Sequence, residues 1–380
     1  MRPELLARLW MQRPALRRKS TPLKGLSDNP AYQWWRDPIH VQPDSWWGMS
    51  ANPDALDSQA SVMRELGAQV FRFEVPWREL APKMPGGGVY DGAAASDPDY
   101  PEYSWSPLDA IVGCLERAGV EPLPVLVFAP AWTMSEGRVS PAAPPRHPGY
   151  IADVMHALAT RYRGRIRRWE LWNEPDHPHS WAGSPSEYVE LVLRPGAAAV
   201  RDAAPDASIL LAGLADHRNL GPLLVADAKG SFDVAGIHVY PGSGSARHVR
   251  SAVNRARQAL VEAGLPDVPL WVTECGVATA EPSLPSTFGA VKDEPGQARF
   301  IRSVFRTVDA DAIFIYQLRD TMIRAADGSI LKRVYWGLAT SALERRKPGF
   351  AAYRDALSRA PGRVPSRPDA RTPFSRQVAS

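Results

Sequence analysis

The chain has 380 residues, of which 44% are apolar and 23% are charged, and this composition is typical of a soluble globular protein with a sizeable core. No apolar run approaches about 18 residues, so the sequence predicts no membrane-spanning helix. The net charge is +4, which is a small excess of basic residues for this length.

The excess basic side chains cluster near the two ends of the chain. They are Arg13, Arg17, Arg18 and Lys19 near the start, and Arg363, Arg367, Arg371 and Arg376 near the end. A basic tail can contact nucleic acid or an anionic polymer, but solvated terminal segments are the commoner reason for such clusters. We therefore expect no nucleic-acid partner.

The two cysteines, Cys114 and Cys275, are too few for a disulfide framework in a chain of this length. The first 25 residues carry charges throughout and lack the apolar segment of a signal peptide. These features predict a cytoplasmic protein, with export by another route as the alternative.

Apolar runs with strand character recur along the chain at intervals that suit strand–helix units. In chain order the predicted strands are 46–51, 70–77, 123–128, 168–174, 208–213, 232–240, 270–274 and 312–317. The predicted helices are 54–66, 107–118, 150–162, 187–203, 246–263, 296–308 and a short one after residue 350. Pro195 should kink or break the fourth helix, and 78–106 reads as a long loop.

This alternation of strands and helices is typical of a parallel sheet covered by helices. Right-handed crossovers leave two arrangements, a closed barrel or an open doubly wound sheet. The first strand is not followed by a Gly-x-Gly-x-x-Gly turn, which argues against a nucleotide-binding open sheet.

Two glutamates end apolar strands 100 residues apart. Glu174 lies in Trp-Glu-Leu-Trp-Asn-Glu-Pro, where Pro175 should end the strand, and Glu274 lies in Leu-Trp-Val-Thr-Glu-Cys-Gly. At about 30 residues per unit, three units separate them, so both acids should project toward the same end of a parallel barrel. An acid among apolar neighbours is hard to ionise, which suits Glu174 to the role of proton donor.

A Trp-Asn-Glu-Pro strand end followed by a later Thr-Glu strand end resembles the clan A glycoside hydrolases, most of all the family 39 type. The resemblance covers about residues 45–355 and implies a (β/α)8 TIM barrel. It further implies that Glu174 is the acid/base and Glu274 the nucleophile of a retaining mechanism, with carboxyl groups about 5–5.5 Å apart. We expect residues 46–358 to form the barrel, 1–45 an extension packed on it, and 359–380 a basic tail.

The same resemblance assigns substrate-site roles to four polar residues. Asn173 would bind the sugar hydroxyl next to the reacting carbon, or else cap backbone. Arg72 would hold the nucleophile ionised, or else pair with Glu74 or Glu170 as a structural arginine. His238 and Tyr240 share a strand face, and the alternative for each is a place in the core.

Aromatic side chains near strand ends can stack on sugar rings. The candidates are Trp132, Trp181, Tyr316 and Trp336, and core or loop packing is the alternative for each. The chain departs from the clan pattern at Phe128-Ala129-Pro130, where many members carry a His, and at Tyr316-Gln317, where many carry a Trp.

Asp176, His177 and His179 follow Glu174, but they lack the spacing of a metal-binding set. We therefore expect no metal and no cofactor.

The predicted function is that of a retaining O-glycoside hydrolase acting on an oligo- or polysaccharide. The alternatives are a transglycosylase that uses the same site and a carbohydrate-binding barrel without catalysis. The sequence predicts neither the sugar nor the oligomeric state.

Overall fold

The computed structural model describes residues 53–135, 140, 142–280, 289–324 and 330–359. This part contains seven parallel strands that alternate with helices along the chain. The strands are β1 (Val70–Pro76), β2 (Glu121–Val127), β3 (Arg168–Leu171), β4 (Ser208–Leu211), β5 (Ala235–Val239), β6 (Leu270–Cys275) and β7 (Ala312–Ile315).

Helices connect successive strands and cover the outside of the sheet. They are α1 (Pro53–Leu66), α2 (Trp77–Leu80), α3 (Gly92–Ser96), α4 (Ser106–Ala118), α5 (Pro148–Arg161), α6 (Pro185–Tyr188), α7 (Arg194–Ala203), α8 (Leu220–Leu223), α9 (Ala246–Glu262), α10 (Glu294–Thr307) and α11 (Pro348–Ser358). After β7 an antiparallel hairpin of β8 (Thr321–Arg324) and β9 (Ile330–Val334) precedes α11.

The parallel strands follow one another in space in the order of the sequence. β1 to β4 pair side by side, β5 to β7 do the same, and parallel bridges from Leu210 to Val234 and from Leu214 to Ile237 join the two groups. All carboxyl ends therefore lie at one end of the sheet, which we call the mouth.

The sheet curves around its own interior. Leu123, Leu210, Val234 and Trp271 form a small buried cluster, and Val70 of β1 and Phe314 of β7 both pack against it. A much larger apolar layer fills the space between the strands and the surrounding helices. Because the first and last described strands contact the same inner cluster, the sheet encloses a central axis.

Several predicted boundaries differ from the structure for local reasons. The fourth predicted strand ends at Leu171, before Glu174, because Trp172 and Glu174 have positive φ angles of 84° and 46° and leave the extended conformation. The helix predicted from residue 187 begins at Pro185, because Ser184 and Glu187 form a capping box.

The sequence predicted that Pro195 would kink or break this helix, but the structure contains no break, because helical residues run without a gap from Pro185 to Ala203. The chain widens instead into a π turn over Val189–Leu193 between α6 and α7, just before Pro195. The segment 78–106, predicted as a loop, contains part of α2 and all of α3.

The predicted first strand at 46–51, the extension 1–45 and residues 360–380 of the tail lie outside the described residues. Among the helices of the described part, none is long and apolar enough to cross a membrane. Cys114 and Cys275 are both buried and free, so no disulfide joins them.

Candidate active site

Arg72 is the centre of a polar network inside the mouth. Its guanidinium donates to Glu170 at 2.6 and 2.9 Å, to Glu274 Oε1 at 2.7 Å and to Asn173 Oδ1 at 2.8 Å. Glu170 is fully buried and also accepts the backbone N–H of Gly213 at 2.8 Å. Burial opposes the charge on Arg72, but Glu170 and Glu274 outweigh it and raise the pKa of Arg72.

Glu274 is held at both carboxylate oxygens. Arg72 donates to Oε1, and the hydroxyl of Tyr240 donates to Oε2 through a short hydrogen bond. Burial and the nearby carboxylate raise the pKa of Tyr240 well above its usual value, so the phenol keeps its proton and acts as a donor. The predicted contacts of Arg72 and Tyr240 with Glu274 are therefore both present.

Glu174 lies on the turn after β3 and contacts His238 of β5. Its backbone N–H donates to Gly213 O at 3.0 Å, and its Oε1 lies 2.8 Å from His238 Nδ1. The same Nδ1 is 3.6 Å from Glu274 Oε2, so the imidazole lies between the two glutamates. His238 is fully buried, and its Nε2 has no hydrogen-bond partner among the described residues, so Nδ1 is the ring nitrogen that contacts both glutamates.

The sequence predicted that apolar surroundings would make Glu174 hard to ionise, and this is wrong for the free protein. Burial does favour the neutral acid, but the hydrogen bond and positive charge of His238 outweigh burial and lower the pKa of Glu174. For His238, burial favours the neutral imidazole and lowers the pKa, but the carboxylates of Glu274 and Glu174 outweigh burial and raise it. The Glu174–His238 pair therefore binds its proton as a unit.

Gly213 makes room for this imidazole. A Cβ atom at Gly213 would lie 2.1 Å from His238 Nε2 and 2.5 Å from Thr273 Oγ1, closer than any side chain allows. Sequence reasoning did not select Gly213 or Thr273, and it considered Glu170 only as a pairing alternative for Arg72. The inward position of a charged residue on an apolar strand was the available signal for Glu170.

Ligand atoms of Glu174, His238 and Glu274 all lie within 4.8 Å of one another. Two carboxylates and an imidazole can in principle hold a divalent cation, but the guanidinium of Arg72 at 2.7 Å from Glu274 would repel one. The nearby Asp176 accepts the backbone N–H groups of Ala215 and Asp216, so it stabilises a loop.

The four predicted aromatic platforms occupy different environments. Tyr316 is 36% exposed, and with Trp336 it packs around Tyr240, at ring distances of 6.0 Å and 5.0 Å. Trp336 itself is mostly buried and forms the wall behind Tyr240. Tyr316 is thus the member of this group that offers surface to a ligand.

Trp132 and Trp181 pack within the protein. Trp132 is half-buried, contacts Tyr90 and Tyr150, and donates its indole N–H to Ala81 O at 3.0 Å. Trp181 is only 3% exposed and donates to Ser184 O, so its prediction as a sugar platform is wrong. It packs edge-on against its aromatic neighbours Trp172 and Tyr188, which is the core alternative.

No protein-family model matches the chain, but solved structures resemble it in fold. A family 39 glycoside hydrolase from Bacteroides cellulosilyticus WH2 has a TM-score of 0.61 at 19% identity, over 81% of this chain and 61% of that one. A monomeric β-xylosidase from Caulobacter crescentus CB15 has a TM-score of 0.57 at 20% identity, over 80% and 64%. A family 1 β-glucosidase from Thermotoga maritima has a TM-score of 0.55 at 14% identity, over 86% and 91%.

These likenesses establish the fold as a (β/α)8 TIM barrel, seven strands of which lie in the described residues. The predicted resemblance to family 39 glycoside hydrolases is confirmed at the level of the fold. The chain spans a little under two thirds of the length of the family 39 glycoside hydrolase and of the β-xylosidase.

Proposed function

We propose that this chain is a retaining O-glycoside hydrolase that cleaves an oligo- or polysaccharide, with Glu174 as acid/base and Glu274 as nucleophile. The observation that carries the proposal is the approach of the two carboxyl groups to within 4.8 Å at the mouth of the barrel. This separation suits retaining enzymes, whose carboxyl groups lie about 5–5.5 Å apart, because inverting enzymes need about 6.5–9.5 Å to admit a water.

In the first step Glu274 attacks the anomeric carbon and forms a covalent glycosyl ester. Its carboxylate must be anionic and fixed in orientation, and the hydrogen bonds from Arg72 and Tyr240 meet both needs. Asn173 is held by Arg72 through its Oδ1, which leaves its amide N–H groups to donate to a sugar hydroxyl.

The proton for the leaving oxygen comes from the Glu174–His238 pair. Glu174 Oε1 and His238 Nδ1 are one hydrogen bond apart, so the protonated pair passes the Nδ1 proton of the imidazolium to Glu174 and from Glu174 to the sugar oxygen, which leaves a neutral His238. Glu174 is then anionic and removes a proton from the water that hydrolyses the glycosyl ester, which returns the proton to the pair.

The test compares two isosteric variants with a surface control. Glu174→Gln and Glu274→Gln should each lower hydrolysis to below about one hundredth of the wild-type rate, whereas Glu190→Gln, at an exposed position of the π turn, should not change it. The substrates are aryl glycosides and bacterial polysaccharides, with products sized and their anomeric configuration read by NMR. Unchanged turnover in either active-site variant, or an inverted product, would contradict the assignment.

The two roles are separable by the leaving group. A dinitrophenolate leaves without protonation, so Glu174→Gln should lose much less activity on a dinitrophenyl glycoside than on an alkyl glycoside. Glu274→Gln should lose activity on both, because each needs the nucleophile. An added sugar acceptor then distinguishes hydrolysis from transfer, since both use the same glycosyl ester.

A further inference from the structure

A third carboxyl group, Glu74, faces the interior of the mouth. Side chains on a strand alternate between faces, and those of Val70 and Arg72 point inward, onto the inner cluster and the glutamates. Phe73 and Val75 point outward and are buried in the layer under the helices. Glu74 therefore lies on the inward face, about 7 Å beyond Arg72 toward the mouth.

Glu74 is half-buried, yet no hydrogen bond to its carboxyl group forms within the described part of the chain. Arg72 and Arg78 attract its negative charge, whereas Glu274 and Glu174 repel it. Burial is the largest influence and raises the pKa of Glu74 to about 7. A carboxyl group placed in this way is unfavourable for the free protein, because buried polar groups in folded proteins normally have partners.

The substrate of the proposed function is rich in hydroxyl groups. A carboxylate accepts two hydrogen bonds at once, and neighbouring hydroxyls of a sugar ring present two donors at matching spacing. The sugar would therefore supply a partner that Glu74 does not have among the described residues.

We propose that Glu74 determines sugar specificity: its carboxylate accepts hydrogen bonds from the hydroxyl groups of an uncharged sugar in the mouth, and its charge excludes sugars that carry a carboxylate. This inference rests on the proposed function and adds the substrate class to it. Glu74 joins Glu174 and Glu274 at the same opening, while Arg72 is already bound to Glu170 and Glu274. A uronic acid would bring a further anion into a half-buried site where Glu274 and Glu174 already repel the charge of Glu74.

The experiment measures kcat and KM at pH 8, above the pKa of about 7 of Glu74, on matched pairs of aryl glycosides, glucoside with glucuronide and galactoside with galacturonide. Glu74→Gln keeps the size of the side chain and removes its charge, Glu74→Ala removes the acceptors, and Glu190→Gln is the surface control. For the neutral sugar we expect KM to rise about tenfold in Glu74→Gln and up to about a hundredfold in Glu74→Ala, with kcat much less affected. The preference for the neutral sugar over the uronide should fall about tenfold or more in both variants.

A purely structural role for Glu74 would lower kcat on both members of a pair alike and leave their ratio unchanged, and that result would overturn the inference. A ratio and a KM within twofold of wild type in Glu74→Gln would overturn it as well. Calorimetric binding of methyl glucoside and methyl glucuronide to the full chain gives the same comparison without turnover. If wild type binds the neutral sugar selectively but hydrolyses no glycoside, the proposed function fails while the specificity inference stands.

Discussion

Replacing Glu74 with glutamine removes a charge from the barrel interior without changing the size of the side chain. In the folded protein burial raises the pKa of Glu74 from 4.5 to about 7. The unfolded chain therefore releases this proton near pH 4.5 and the folded protein releases it only near pH 7. Between these values the unfolded state binds fewer protons, so stability falls as pH rises.

The size of the effect follows from the two pKa values. A difference between 4.5 and about 7 corresponds to about 3 kcal/mol, because one pKa unit is worth about 1.36 kcal/mol. This contribution of Glu74 to the unfolding free energy is fully present below pH 4.5. It is lost progressively as the pH rises through 7, and it does not return above pH 7. Glutamine has no proton to release, so Glu74→Gln should become more stable than wild type as pH rises.

The assay is equilibrium urea unfolding of wild type, Glu74→Gln and the surface control Glu190→Gln at a series of pH values from 5 to 8. The unfolding free energy of Glu74→Gln relative to wild type should increase by about 2–3 kcal/mol over this range. The control should track wild type. Parallel curves for wild type and Glu74→Gln would refute the reasoning, because they would mean that the Glu74 carboxyl ionises as easily in the folded protein as in the unfolded chain.

Four further substitutions test the site. Gly213→Ala places a Cβ 2.1 Å from Nε2 of His238 and should lower kcat at least about tenfold, because it displaces the imidazole that contacts Glu174. The control Gly221→Ala places its Cβ in open space and should not change kcat. Equal kcat values for the two variants would contradict the packing argument. Tyr240→Phe removes the hydroxyl that donates to the nucleophile and should lower kcat about tenfold or more with little change in thermal stability; wild-type kcat would remove that role. Trp181→Phe should lower the unfolding free energy of the protein by about 1–3 kcal/mol and leave KM unchanged, because Trp181 is buried. Tyr316→Ala should raise KM with little loss of stability, because Tyr316 is partly exposed. The reverse pattern in calorimetry and kinetics would support Trp181 as the sugar platform.

Local patterns in the sequence were enough to predict the fold and the two glutamates of the site, Glu174 and Glu274. The apolar runs and their helical intervals predicted seven strands that the structure describes, since periodicity reports which face of each element is buried. Arg72 shares a strand face with Val70, and this alternation alone is enough to direct its side chain inward. The placement of Glu174 after β3 and of Glu274 near the carboxyl end of β6, at the same end of the barrel, likewise followed from chain order.

Tertiary structure decided what depends on distances between segments far apart in the chain. Trp181 and Tyr316 have the same kind of sequence context, but only the packing of Trp181 against Trp172 and Tyr188 makes it part of the core. The protonation behaviour of Glu174 is also a tertiary property, because burial and the His238 hydrogen bond act in opposite directions. The sequence determines which residues are titratable, but only their positions in the fold determine whether burial or a hydrogen bond has the larger effect on a pKa.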